Sequence, residues 1–231
     1  MPAEGCKALA PFTLHRDALA AVFFCAAART GITFLEVYPM SSTTSSRTST
    51  RRLAEGGICI ALALVLSYIK IPIGLSFGGF GGSINLVMIP LILYAVRWGA
   101  PWGILAGLAF GTLKYFFAEG TAINWVSIIF DYSIAYAAVG LAGLLRARGG
   151  NYGKLPLAAL IGCVGRFVIH FISGVTVYAQ YMPEEFMGLT MTSPAFYSVL
   201  YNGTYMLPNS ILAIVLCALL IKPSEKLPKA E

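Results

Sequence analysis

Asp131, Arg166 and His170 are ionisable side chains set in stretches that are otherwise apolar. A charge in such surroundings is stable only when it is paired or faces a polar cavity, so each marks a place where chemistry is concentrated. Asp131 follows Val126-Ser127-Ile128-Ile129-Phe130 and precedes Tyr132. It can accept a cationic or amine-bearing ligand with the help of Tyr132, or it can form an ion pair with Arg166. Arg166 and His170 stand at i and i+4, on one helical face, and Tyr178 lies just over two turns further along it. His170 and Tyr178 therefore can line one groove, the plain alternative being a histidine satisfied within a core. A third cluster, Tyr197-Ser198-Val199-Leu200-Tyr201-Asn202-Gly203-Thr204-Tyr205-Met206-Leu207-Pro208-Asn209, packs tyrosines and asparagines into a hydrophobic segment. Aromatic faces stack on rings and attract positive charge, while a carboxylate and amides read hydrogen-bonding edges. The set suits a small, flat, partly cationic molecule.

The elements that must position these groups are membrane helices. The chain is 58% hydrophobic and 11% charged, with a mean hydropathy of +0.76, far from the soluble range. Six apolar segments follow Leu53, at roughly 53–70, 84–97, 101–118, 122–145, 155–179 and 195–221. Basic residues cluster in alternate connections: Arg47, Arg51 and Arg52, then Arg97, then Arg146, Arg148 and Lys154, then Lys222, Lys226 and Lys229. Lys70, Lys114, Glu119, Glu184 and Glu185 fall on the other side. The positive-inside rule then predicts an all-α integral membrane bundle of six transmembrane helices with both termini cytoplasmic. Residues 51–222 form the membrane domain and 223–231 a cytoplasmic tail. Residues 1–50 read as a poorly ordered leader, in which Met40 is the expected functional start and 1–39 dispensable.

Several function classes fall away. The net charge of +6 sits in short runs between apolar segments, where it sets topology and does not suit nucleic acid. His15 and His170 are the only histidines and no paired carboxylates stand at bundle spacing, so no metal site is expected. Cys6, Cys25, Cys59, Cys163 and Cys217 lack C-x-x-C spacing and read as small core residues. Ser173 lies three residues from His170, but no Gly-x-Ser-x-Gly surrounds it and no acid nearby in sequence orients the histidine; neither an enzyme nor a cofactor is expected. Loop one, Pro72–Ser83, is rich in glycine and carries Phe77 and Phe80. It is either a flexible connector or a lid over an outward-opening pocket. The chain has no ATP-binding motif and no two-fold internal repeat of the kind common in self-sufficient transporters, which fits a binding subunit energised by partners.

Leu53-Ala54-Glu55, Gly81-Gly82-Ser83, Asp131-Tyr132, Arg166-Phe167-x-x-His170-Phe171-Ile172-Ser173-Gly174-Val175 and Tyr197-Ser198-x-x-Tyr201-Asn202-Gly203-x-Tyr205-Met206-Leu207-Pro208 together resemble the thiamine-specific S component of energy-coupling factor (ECF) vitamin transporters. The resemblance covers essentially all of 51–222. It implies a multi-pass protein of a prokaryotic cell membrane that binds thiamine from outside and docks on a transmembrane coupling protein and two ATPase subunits. Carried over by motif, Asp131, Tyr132, His170, Tyr178, Tyr197, Asn202 and Asn85 become substrate-binding positions, and Phe77, Phe80 and Gly81 a lid. Tyr178 stands where other members have Trp; Gly81, Asn85 and Thr121 stand where some carry Trp, Glu and Tyr. S components also use a small-xxx-small stripe on helix one for docking, matched here by Gly57-x-x-x-Ala61, although the same stripe equally suits packing within the bundle. An S component for another vitamin or for a thiamine precursor such as the hydroxymethyl pyrimidine, a solitary facilitator, and a membrane enzyme are the alternatives.

Overall fold

Each of the six apolar segments forms a helix: α1 (Thr43–Tyr68), α2 (Met88–Trp98), α3 (Ala100–Phe117), α4 (Trp125–Leu145), α5 (Leu155–Thr176) and α6 (Pro194–Leu219), with a short α7 (Ile221–Glu225) after them. The structure is a computed structural model that describes residues 43–72, 82–118 and 122–229. Met40 and residues 1–39, the lid residues Phe77, Phe80 and Gly81, and Thr121 lie outside the described residues. Residues 43–50, assigned by sequence to the leader, belong to α1.

Among the described residues, three helices are long and apolar enough to cross a membrane: α4, α5 and α6. The others fall short for identifiable reasons. α1 carries Arg51, Arg52 and Glu55, and α3 is diluted by glycines and Lys114. α2 has 11 residues, of which Met88, Leu91, Ile92, Ala95 and Val96 are buried in the main core with Phe110, Val139, Ala159, Cys163, Ala213 and Cys217. A helix walled in by protein on most sides does not need the length of one that faces lipid. α5 and α6 show the opposite pattern. Leu157, Leu160, Val164, Val168 and Ile172 on one, and Leu207, Ile211, Val215 and Leu219 on the other, form apolar faces turned outward. Such faces are stable against acyl chains and not against water.

Close helix contacts come from small residues. Gly103, Gly107 and Gly111 recur every four residues along α3, and a Cβ on Gly107 or Gly111 would collide with the backbone carbonyl of Tyr136 or Tyr132 in α4. The α3 backbone thereby lies directly on α4. α4 is not uniform: after a capping box between Asn124 and Ser127 it runs through a π segment, Ile128–Ile134, then α geometry over Ala135–Val139 and a 3-10 stretch over Gly140–Leu145. Gly99, at φ +95°, turns α2 directly into α3, a conformation glycine adopts without strain.

Two short hairpins complete the described chain. β1 (Lys70–Pro72) pairs antiparallel with β2 (Ser83–Asn85), in the register Lys70↔Asn85 and Pro72↔Ser83. β3 (Glu185–Phe186) and β4 (Leu189–Thr190) form the other, turning at Met187 and Gly188, both with positive φ. The loop-one hairpin is fastened to α6 by Asn209, whose Nδ2 donates to the Ser83 carbonyl at 2.7 Å and whose Oδ1 accepts from the Asn85 amide at 2.9 Å.

Near the other end of α1, Glu55 anchors a second polar cluster. It accepts from Arg97 Nε (2.6 Å) and Nη2 (3.1 Å), Trp98 Nε1 (2.7 Å) and Arg51 Nε (2.9 Å). Arg97 also donates to Tyr152 Oη (3.2 Å) and the Pro228 carbonyl (2.6 Å), and Arg51 to the carbonyls of Pro228 (3.0 Å) and Lys229 (3.1 Å). The end of the described chain is thus strapped to the start of the bundle.

Candidate functional site

A cavity of about 260 Å³ opens between the loop-one hairpin and the ends of α3 to α6. It lies slightly below the roughly 300–1,000 Å³ range of small-molecule sites, which suits a small ligand. Asp131, Tyr132, His170, Tyr178, Tyr197 and Asn202 all line it, so six of the seven substrate-binding positions expected from sequence converge.

The seventh does not. Asn85 is 6% exposed but turned away from the cavity lining. Its Oδ1 accepts from the Val87 amide (3.3 Å) and its Nδ2 donates to Ser83 Oγ (3.1 Å). An Asx turn of this kind shapes the entry to α2 and leaves the side chain little to offer a ligand.

At the centre of the site, His170 bridges two helices. Its Nδ1 lies 3.3 Å from Asp131 Oδ1, and its Nε2 accepts from Arg166 Nε at 3.4 Å. One nitrogen donating and the other accepting is the pattern of a neutral imidazole. The direct Asp131–Arg166 ion pair weighed from sequence gives way to this relay: the carboxylate pairs with the imidazole, and the guanidinium packs 4.3 Å from the Tyr136 ring centroid. An acid does stand beside His170, contrary to the reading from sequence neighbours alone. The other imidazole nitrogen faces Arg166, however, and Ser173 is fully buried outside the cavity lining, so Ser173 is not placed to act with His170.

The α6 wall is a ladder of rings. Tyr197, Tyr201 and Tyr205 recur at i, i+4 and i+8; the first two stack at 5.7 Å and 28°, and Tyr205 meets His170 edge-on at 6.2 Å. Phe186 of β3 backs Tyr197 at 5.4 Å. Asn202 is held between them: its Oδ1 accepts from Tyr205 Oη (2.6 Å), and its Nδ2 donates to the Ser198 carbonyl (2.9 Å). Gly82, at φ +107°, closes over this wall; a Cβ there would lie 2.6 Å from the Tyr205 ring. Tyr178 reaches toward Asp131 from beyond the end of α5.

The profile of the family described as "Thiamine transporter protein (Thia_YuaJ)" matches residues 53–229. The chain belongs to this family. A relative described as thiamine transporter ThiT, from Bacillus subtilis, is 31% identical over 195 residues, covering 78% of this chain and 95% of its own. Another ThiT, from Lacticaseibacillus paracasei, is 30% identical over 188 residues, covering 76% and 89%. The solved structure of ThiT from Listeria monocytogenes superimposes with a TM-score of 0.66 at 25% identity, covering 78% of this chain and 99% of that one. In this thiamine transporter family member, the pocket also includes residues that sequence reasoning passed over. Lys114, counted among the outer connecting charges, lines the cavity from within α3 and donates to Tyr136 Oη at 2.6 Å. Tyr136 itself was unmarked. The usable signal was its place five residues after Asp131, which matters only once α4 is known to contain a π segment.

Gly57 and Ala61 face outward from α1, and a Cβ on Gly57 would meet nothing within 4 Å. Packing within the bundle, the alternative for this stripe, is met instead by Gly56, which abuts the Tyr94 hydroxyl.

Proposed function

We propose that this protein is the thiamine-binding S component of an ECF-type importer. It takes thiamine from outside and delivers it to the cytoplasm with energy from two partner ATPases and a transmembrane coupling protein. The observation that carries the reading is the convergence of Asp131, His170, Tyr178 and Asn202 in one small aromatic cavity of a thiamine transporter family member. Asp131 accepts from the ligand's amine, Asn202 and Tyr197 read its ring edge, and the tyrosine faces hold the cationic ring. All six helices cross the bilayer, both termini are cytoplasmic, and loop one, with Phe77, Phe80 and Gly81, closes over the bound vitamin. The outward stripe at Gly57 and Ala61 receives a helix of the coupling protein.

Calorimetry of thiamine binding to the purified protein tests the ligand. The three tryptophans do not line the cavity, so heat is a better readout than fluorescence. Saturable binding supports the reading; absence of binding to folded protein moves the ligand to another vitamin or precursor. Gly57→Trp tests docking: uptake in cells is abolished while thiamine affinity stays within about twofold, because the added ring meets open space. Unimpaired uptake would place the docking face elsewhere.

A further inference from the structure

Near the start of α1, far from the cavity, the fold fixes a cation in place and leaves it without an anion. Arg52 precedes Glu55 by three residues, but both oxygens of that carboxylate are taken by Arg51, Arg97 and Trp98. The Arg52 guanidinium packs instead on two indoles, its Cζ 5.0 Å from the Trp98 ring centroid and 4.6 Å from that of Trp102 on α3. Trp98 is anchored by its bond to Glu55, and the Tyr94 hydroxyl donates to the Arg52 carbonyl at 3.2 Å, so backbone and side chain are both held. Among the described residues, no acceptor meets this guanidinium or the Trp102 Nε1 beside it. Of these nitrogens Arg52 Nε alone is sealed from the surface; Arg52 Nη1 and Nη2 and Trp102 Nε1 are open. Exposed apolar side chains stand next to them, Leu53 and Ile58 on α1 and Leu105 on α3. Arg146, whose side chain lies against the Gly99 turn, adds positive charge nearby. Spare cationic donors framed by indoles and flanked by exposed leucine are the chemistry of the bilayer interface, where headgroup and acyl chain meet.

We propose that Arg52 and Trp102 form a binding site for an anionic phospholipid at the end of the bundle where α1 starts. The phosphodiester accepts from Arg52 Nη1 and Nη2, a fork that matches two phosphate oxygens, and from Trp102 Nε1. The acyl chains lie along the exposed leucines. Because the two rings already hold the guanidinium, little side-chain freedom is lost on binding. The lipid then ties the first turns of α1 to α3. The site rests on the reading of α1 and α3 as bilayer helices and is independent of the thiamine reading.

Native mass spectrometry of the full-length protein, with dioleoyl-phosphatidylglycerol or dioleoyl-phosphatidylcholine added at equal concentration in detergent, tests the site. The anionic lipid should be retained in preference to the zwitterionic one, and Arg52→Gln should cut that preference about fivefold. Arg148→Gln, which removes an exposed arginine in contact with neither indole, should leave it nearly unchanged. A thermal shift reads the same contact: phosphatidylglycerol should raise Tm by about 3 °C more than phosphatidylcholine does, an increment lost in Arg52→Gln and about halved in Trp102→Phe, which keeps a ring and removes the N–H. An arginine of structural role alone would lower the starting Tm and leave the lipid increment intact. Equal retention of the two lipids, equal effects of Arg52→Gln and Arg148→Gln, or the same increment from inorganic phosphate overturns the proposal. Retention of neither lipid overturns the bilayer reading as well. Should Arg52→Gln fail to fold, the wild-type lipid comparison and Trp102→Phe still decide.

Discussion

The Glu55 cluster and the Asp131 cavity are built from the same chemistry and resolved in opposite ways. Both join a carboxylate to arginine and aromatic side chains, and they lie near opposite ends of α1, which rises about 20 Å from Glu55 to its last residue, Tyr68, two residues before Lys70 of the cavity lining. At Glu55, the carboxylate collects bonds from Arg51, Arg97 and Trp98, and the arginines spend further donors on Tyr152 and backbone carbonyls. At Asp131, the bonds are fewer and longer, a buried Arg166 nitrogen is left over, and the rings surround space. A polar cluster that closes on itself holds a fold, whereas one that stays open is suited to a ligand.

Substitutions can break that contrast. Asp131→Asn should have the largest effect on binding, lowering thiamine affinity by at least about a hundredfold in calorimetry, with the loss of stability smaller than that at Glu55. Comparable losses of binding and folding would show that the two regions are not distinct in kind. Glu55→Gln should do the reverse. It strips the bonds from Arg97, which is 6% exposed, and should destabilise by about 2–3 kcal/mol, seen as a lower Tm in detergent, with affinity kept within about twofold. Gly174→Ala sharpens the comparison. Its methyl would collide with Ser198 Oγ, which bonds the Phe171 carbonyl and accepts from Asn202, so α5 and α6 must part at the cavity wall. A loss of about 1–3 kcal/mol should come with several-fold weaker binding, so that both readouts move together. Tyr178→Trp is the gentlest: a larger ring face should raise affinity two- to threefold, about 0.5 kcal/mol, with Tm unchanged.

Much of the framework was legible because it depends on composition and period. Apolar runs marked the helices, and His170, Tyr178, Tyr197 and Asn202 stood out as polar groups in apolar surroundings. Pairing was less legible. Arg97 counted as a topology charge from sequence, but it folds inward because Glu55, 42 residues earlier, lies across from it. Asn85 drew attention by position in a motif, while its bonds serve the backbone two residues away. Asp131 and Tyr136 would stand about 140° apart on an α-helix, so periodicity sends them to different faces. The π segment, with its i→i+5 bonds, brings them round to the same cavity.

That wide turn means the cavity wall is set by residue count as well as by residue type. Removing one residue between Ile128 and Ile134 would return α4 to even winding. With the residue taken out after Asp131, the carboxylate and the Tyr136 ring would then stand at i and i+4, about 40° apart, so the later side chains would keep their face and the wall would lose only one position. The wide turn in α4 is therefore expected to tolerate a one-residue deletion with the face of Tyr136 kept, whereas even winding at the present residue count would carry that ring away from Asp131.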